Sequence, residues 1–260
     1  MAGEIIAAAT VLLVRDGAAG LEVLMATRAR TIDFAAGAAV FPGGKVAGAD
    51  RDGGWLALSD GGSHLEADER GFRVAAARET FEETGLLLAR TPDGDPVGPA
   101  VVAAFAGERS AVERAPERFA QLVGDAGLRL DLSAFVDFAH WLTPDGMPKR
   151  FDTRFLIARA PVGQTPVCDG GEATALDWLS PAAAVAEALA GRRAIIFPTR
   201  LNLELLAESV DADGAMSAAA ARPLRPVTPR IVKENGEATL VIRDDAGYRT
   251  LREPLAPNMP

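Results

Sequence analysis

Residues 78–86 read Arg-Glu-Thr-Phe-Glu-Glu-Thr-Gly-Leu, inside a helical pattern that runs from about 68 to 89. No other run constrains the chain as much. Val74, Ala77, Phe81 and Leu88 recur at helical spacing and form an apolar stripe, so one side of this helix must be anchored in a core. Glu79 lies four residues before Glu83 and three before Glu82, and Arg78 lies four before Glu82; residues so spaced are neighbours on one helical face. Three carboxylates are therefore expected together on the exposed side of an anchored helix. Like charges at that distance repel unless something neutralises them. Mg2+ or Mn2+ would do so, because hard divalent cations take carboxylate and water oxygens. A solvated acidic face with an internal Arg78–Glu82 ion pair satisfies the same geometry. Gly85 marks either the end of the helix or a point of close packing.

The rest of the chain reads as strands around a few helices. Ile5–Val14 and Leu21–Ala26 are apolar runs separated by Asp16-Gly17, the pattern of an antiparallel hairpin. A third strand, Ala38–Phe41, stops at Pro42-Gly43-Gly44. Residues 47–66 are rich in Gly, Asp and Ser and are expected to form a surface excursion, and 91–99 a loop. Residues 101–128 look helical, with Pro116 as a start or break. Phe135–Leu142, Phe151–Ala158 and Ala175–Leu179 read as strands. Helices follow at Pro181–Ala190, with Ser180 as N-cap and Gly191 as stop, and at Pro198–Ser209. Arg230–Lys233 and Ala238–Arg243 flank Asn235-Gly236, a strong hairpin turn. Strands and helices in this mixed order imply an α+β fold, an α/β/α sandwich rather than a doubly wound parallel sheet.

Composition narrows the class. Hydrophobic residues make up 48% and charged residues 24%, an ordinary globular balance. A formal net charge of -9 argues against binding to nucleic acid or to an anionic membrane. The single cysteine, Cys168, excludes an intramolecular disulfide and a cysteine-based zinc site, and is consistent with a cytoplasmic protein. Met1–Ala9 carries Glu4 and no basic region, so no signal peptide is expected, and no stretch reaches membrane-spanning length. His64 and His140 are isolated in sequence and suggest no metal pair.

Gly44 followed by Arg78-Glu79-Thr80-Phe81-Glu82-Glu83-Thr84-Gly85-Leu86 resembles the Nudix box. That box runs from a glycine through five residues, a glutamate and seven residues to Arg-Glu-U-x-Glu-Glu-x-Gly-U, where U is aliphatic; Thr80 stands at an aliphatic position here. Between Gly44 and Arg78 lie 33 residues, 20 more than the box allows. Counted back from Arg78, the outer glutamate falls on Arg70, with Glu69 one position away, and it stays unassigned. The resemblance implies a Nudix fold with a mixed sheet, and hydrolysis of a nucleoside diphosphate linked to another group. It implies Glu79, Glu82 and Glu83 as ligands of Mg2+ or Mn2+, Arg78 as the residue orienting them, and the Gly44 carbonyl as a further metal contact. The catalytic base varies in this family; Glu172 is the candidate, and an exposed loop glutamate is the competing reading.

The enlarged box, with Phe41-Pro42-Gly43-Gly44, Trp141-Leu142-Thr143-Pro144, Arg150-Phe151-Asp152-Thr153-Arg154-Phe155 and Phe197-Pro198-Thr199-Arg200, resembles the peroxisomal coenzyme A diphosphatase branch and its bacterial relatives. A coenzyme A element of related enzymes has an arginine four residues before Gly37, where this chain carries Asp33. The chain also ends Asn258-Met259-Pro260, which is not a peroxisomal address. Arg150 and Arg154 share a strand face by alternation, so either could hold substrate phosphates or form surface ion pairs. The expected organisation is a Nudix domain over 1–210, with insertions at about 47–66 and 101–128, and an extension over 211–260 packed on the same domain. The insertions also suggest a homodimer contact. Rival readings are a non-catalytic nucleotide-sensing Nudix domain and an enzyme acting on nucleotide sugars or dinucleotides.

Overall fold

The computed structural model describes residues 5–29, 36–147, 149–168, 170–234 and 237–255. Asp33, the Asn235-Gly236 turn and the C-terminal Asn258-Met259-Pro260 lie outside them. The first apolar runs form β1 (Ile5–Gly17) and β2 (Gly20–Arg28), antiparallel with Val14 opposite Val23. Both strands are longer than the sequence pattern, because Asp16 and Gly17 stay paired and the turn falls after them. Two short strands follow, β3 (Ala39–Val40) against β2 and β4 (Gly43–Lys45) against β1. The Phe41-Pro42 link thus crosses from one arm of the hairpin to the other.

Residues 47–66 are not the surface excursion their polarity suggests. They form 3-10 turns at Gly48–Arg51 and Gly53–Leu56 and then β5 (Ser59–Asp60), and they bury Trp55 and Asp50. The long helix α1 (Ala67–Thr84) stops at Gly85, whose φ of 73° is the left-handed cap conformation and whose N–H donates to the Phe81 carbonyl. It is shorter than the pattern to 89 implied; Leu88 is buried, but from the segment beyond the cap.

Beyond it come β6 (Ala89–Arg90), α2 (Pro99–Phe105), α3 (Arg109–Arg114), α4 (Glu117–Asp125) and β7 (Arg129–Asp131), with Pro116 at the N-cap position of α4. β7 pairs with β5 on one side and β6 on the other. The two insertions are therefore knitted into one cap over α1. Phe119 of α4 stacks on Phe81 at 5.8 Å between ring centroids, and Trp55 closes on Phe119 at 5.8 Å. Val112, Phe119 and Val123 of the second insertion are buried in this core.

The chain then returns through β8 (Val136–Leu142), β9 (Arg150–Arg159), β10 (Ala173–Leu179), α5 (Pro181–Leu189), α6 (Phe197–Leu206) and α7 (Ala212–Ala221). Ser180 sits at the N-cap of α5 but makes no side-chain cap bond. α7 has no sequence forecast: six of its ten residues are alanine and it shows no polar–apolar stripe, yet it buries Ala212, Ala215 and Ala219. β11 (Pro226–Val227) follows, then a meander of β12 (Arg230–Glu234), β13 (Glu237–Val241) and β14 (Arg252–Pro254).

The main sheet has the order β10-β2-β1-β9-β8-β11, with β1 parallel to β9 and β8 parallel to β11, so it is mixed. α1 and its cap cover one face in a core built on Val11, Leu13, Leu24 and Leu156. α5, α6 and α7 cover the other around Leu12, Val23, Met25 and Ile157. This is an α/β/α sandwich. The segment after α7 is tied to it by polar bonds: Trp141 Nε1–H donates to Tyr248 Oη at 3.0 Å, Tyr248 Oη–H donates to Asn202 Oδ1 at 2.6 Å, and Arg200 pairs with Glu204 and Glu253. Among the described residues no helix is long and apolar enough to cross a membrane.

Because Phe119 joins the insertions to the underside of α1, Phe119→Ala is expected to cost about 3–5 kcal/mol in chemical denaturation. A loss below about 1 kcal/mol would show that the cap is not part of the cooperative core.

Candidate active site

The acidic side of α1 is not open to solvent. Arg78 is 3% exposed, Glu82 8% and Glu83 7%. The sequence placed these groups on an exposed face; the turn at Gly48–Arg51 covers that face and supplies Asp50, itself 1% exposed. Arg78 is the hub. Its Nε–H donates to Asp50 Oδ1 at 2.9 Å and Nη2–H to Asp50 Oδ2 at 3.0 Å, a bidentate pair. Nη1–H donates to Glu82 Oε1 at 2.7 Å, and Nη2 also reaches the Lys45 carbonyl at 2.8 Å and Glu79 Oε1 at 3.0 Å. The Ala47 N–H donates to Asp50 Oδ2 at 2.7 Å, so the turn fixes the carboxylate that fixes the arginine.

β4 presses against the same helix face. A Cβ on Gly44 would come within 2.5–2.6 Å of the Glu79 carboxylate atoms, so any side chain there would displace that carboxylate. The neighbouring Gly43 N–H donates to Glu83 Oε2 at 3.1 Å. Glu172 precedes β10; its carbonyl accepts from the Ala29 N–H at 2.8 Å, and its carboxylate lies 4.0 Å from Arg28 Nη2 at the end of β2. Arg28 and Glu172 both act on the charge of Glu83.

Electrostatics follow from this crowding. Burial pushes the Glu79 carboxyl up to about 7; the Arg78 charge works against this and the Glu82 charge adds to it. Burial raises Glu82 as well, opposed by Arg78. Glu83 is pushed well above the carboxylate range, first by burial and then by Glu79. Burial disfavours the Arg78 cation, but its bond to Asp50 and the charges of Glu79, Asp50 and Glu82 outweigh that and hold the guanidinium above its ordinary value.

The structure thus brings Gly44, Arg78, Glu79, Glu82, Glu83 and Glu172 into one neighbourhood and separates the two strand arginines. Ala9 of β1 is directly opposite both Gly44 and Arg154, so Arg154 lies on the same sheet face two strands away, roughly 10 Å across. Its guanidinium lies over the Phe72 ring at 5.4 Å; it forms no ion pair among the described residues, and its buried Nε has no hydrogen-bond partner. Arg150 is held by Asp145 at 2.7 Å and by the Thr143 carbonyl. His140 pairs with Asp152 at 2.5 Å.

The model of the NUDT19 Nudix domain matches residues 59–202, more than half of the chain. The chain belongs to the Nudix family. It is 30% identical over 210 residues to the human acyl-coenzyme A diphosphatase NUDT19, covering 64% of this chain and 55% of that protein. The Gallus gallus protein of the same name is 33% identical over 217 residues, covering 65% and 56%. The chain thus spans little more than half the length of these curated relatives. Among solved structures, a Nudix hydrolase from Alicyclobacillus acidocaldarius superposes with a TM-score of 0.68 at 28% identity, covering 85% of this chain and 99% of that one.

The Nudix signature also identifies a residue that counting back from Arg78 missed. Counted forward from Gly44, its outer acidic position falls on Asp50, and Asp50 is the residue that grips Arg78. Arg70 instead donates to the Leu65 carbonyl, and Glu69 is exposed. The extra residues of this Nudix box therefore follow the outer acid, where 27 residues separate Asp50 from Arg78. Arg28, the second miss, carries no helical or motif spacing and becomes visible only once β2 and β10 pair.

Carboxylates raised first by burial, beside a strand whose Gly44 lies close against the Glu79 carboxylate, fit a hard divalent cation. Among the described residues no three metal-ligating side chains already converge, because Arg78 draws Glu82 and Glu79 toward itself and Gly43 engages Glu83.

Two outcomes follow. Asp50→Ala removes the bidentate partner of a buried cation and is expected to cost about 3–5 kcal/mol in denaturation. A loss under about 1 kcal/mol would contradict the clamp. The raised carboxylates bind protons in the folded protein at pH values where the unfolded chain has released them. Their contribution to the stability of metal-free protein therefore falls as pH rises from about 4.5 through about 7. Mg2+ or Mn2+ should restore it by mass action, with a larger Tm gain at pH 7.5 than at pH 5; an equal or smaller gain at pH 7.5 would count against these carboxylates as ligands.

Proposed function

We propose that this chain is a divalent-metal-dependent Nudix diphosphatase, with coenzyme A or an acyl-coenzyme A as the substrate class. The observation that carries this is the set Glu79, Glu82 and Glu83 on one covered helix face, the first two held by the Arg78–Asp50 pair and the third by the Gly43 N–H. The names of the human and Gallus gallus relatives support the substrate class. Retention of all three carboxylates favours hydrolysis over a sensing role.

Glu79, Glu82 and Glu83, with the Gly44 carbonyl, would hold Mg2+ or Mn2+. The cation supplies neutralisation of phosphoryl charge and a more acidic bound water. Glu172, held by its backbone to β2 and facing Arg28, would take the proton of the attacking water. Water adds to one phosphorus, the bridging P–O bond breaks, and the bridging oxygen leaves with the other phosphate. Arg78 and Asp50 fix the carboxylates without touching substrate. Arg154 is the strand arginine suited to a substrate phosphate, since Arg150 already has its partners.

The test is a screen of coenzyme A esters, dinucleotides, nucleotide sugars and nucleoside triphosphates with Mg2+ or Mn2+, identifying the products. Glu82→Gln and Glu83→Gln should lose turnover, and normal turnover in either would remove the metal assignment. Arg154→Ala should raise KM roughly tenfold, whereas Arg150→Ala should lower stability with KM unchanged; the reverse pattern would reassign the phosphate contact.

A further inference from the structure

We propose that Arg109, carried by the second insertion, is a positioning residue that locks the end of the catalytic helix to the loop bearing Glu172. The inference rests on the reading of α1 as the catalytic helix. Arg109 opens α3 and is 9% exposed. Its Nε–H donates to the Glu82 carbonyl at 2.9 Å, and its Nη1–H donates to the Val167 carbonyl at 2.8 Å. The Val167 N–H in turn donates to the Thr84 carbonyl at 2.8 Å. One guanidinium therefore ties together two segments that have no covalent reason to meet.

The need for such a tie is built into the helix. The last carbonyls of an α-helix lack intrahelical partners and carry partial negative charge. In α1 those carbonyls belong to the turn that holds Glu82 and Glu83. Gly85 satisfies Phe81, while Glu82 and Thr84 are satisfied from outside, by Arg109 and by Val167. A cation there offsets the helix-end charge as well as accepting the geometry.

The loop is stitched on the same side. Gln164 Oε1 accepts from the Leu87 N–H at 2.9 Å, and Gln164 Nε2–H donates to the Leu87 and Val97 carbonyls at 3.0 Å each. Beyond Val167, Cys168 Sγ–H donates to the Ala173 carbonyl, and Glu172 bonds to β2 through its backbone. Glu172 thus stands five positions after Val167, and both of these residues are pinned. The insertion does more than thicken the core: it sets where the metal-binding turn and the proposed base stand relative to each other.

Arg109→Gln removes the charge and one of the two reaches, and Arg109→Lys keeps the charge without the fork. Amide hydrogen exchange on the full chain should quicken at residues 82–87 and 163–172 together in Arg109→Gln. Activity on the substrate found for the wild type should fall about 10–100-fold in kcat, with a higher metal concentration needed for half-maximal rate and KM little changed. Arg109→Lys should recover part of the kcat. Arg118→Ala, which breaks an exposed pair with Glu108 in the same insertion, should change none of these. If Arg109→Gln does not fold, the Lys variant carries the same measurements. Lowered Tm with wild-type kcat, metal requirement and exchange in both segments would overturn the proposal. A wild type that hydrolyses nothing would sink the diphosphatase reading, while the exchange data would still decide whether Arg109 couples the two segments.

Discussion

A single buried cation organises this protein. Arg78 stands where three elements meet: the turn after β4, the strand β4 itself, and α1. Without its charge, Asp50, Glu79 and Glu82 would be three carboxylates crowded in a poorly solvated space, each raising the others. With it, they become a framework in which every oxygen has a reason to point where it does. A bidentate guanidinium is suited to this, because its planar fork fixes direction as well as charge. The acidic cluster is thereby stable enough to fold, yet burial still holds Glu79 and Glu83 above the ordinary carboxylate range.

Much of this was legible beforehand, and the reasons are physical. The central strands read as apolar runs because helices cover both faces of the sheet, and the helix carries helical spacing because one of its sides packs into the core. The spacing of Arg78, Glu79, Glu82 and Glu83 gave their shared face directly. What failed was exposure. Helical spacing says which residues are neighbours, and says nothing about whether a distant segment lies over them. The polar stretch 47–66 looked solvated because Asp50, Arg51, Asp52 and its glycines dominate its composition, yet its one tryptophan was the informative residue. Asp50 was missed by counting from the wrong end of an expanded motif. α7 went unread because alanine packs closely without announcing a side.

The two insertions illustrate how added sequence can be absorbed without disturbing a site. Each alone would expose aromatic surface; together they bury Trp55 and Phe119 against Phe81 of α1. From that position they reach both ends of the acidic turn, through Asp50 on one side and Arg109 on the other. The motif is interrupted in sequence and continuous in space.

The central placement of β1 has a consequence for how the chain acquires its shape. β1 pairs in parallel along its length with β9, so the sheet cannot close until residue 159 is available. During synthesis, the hairpin, the acidic helix and its cap would all emerge before the strand that completes the floor beneath them. Pairing between elements so far apart in the chain is slow, and an unfilled strand edge at the middle of a nascent sheet invites intermolecular association. The helical cap, whose strands and helices are all in place by residue 131, offers the growing polypeptide a provisional core that shelters the helix until its partner strand arrives.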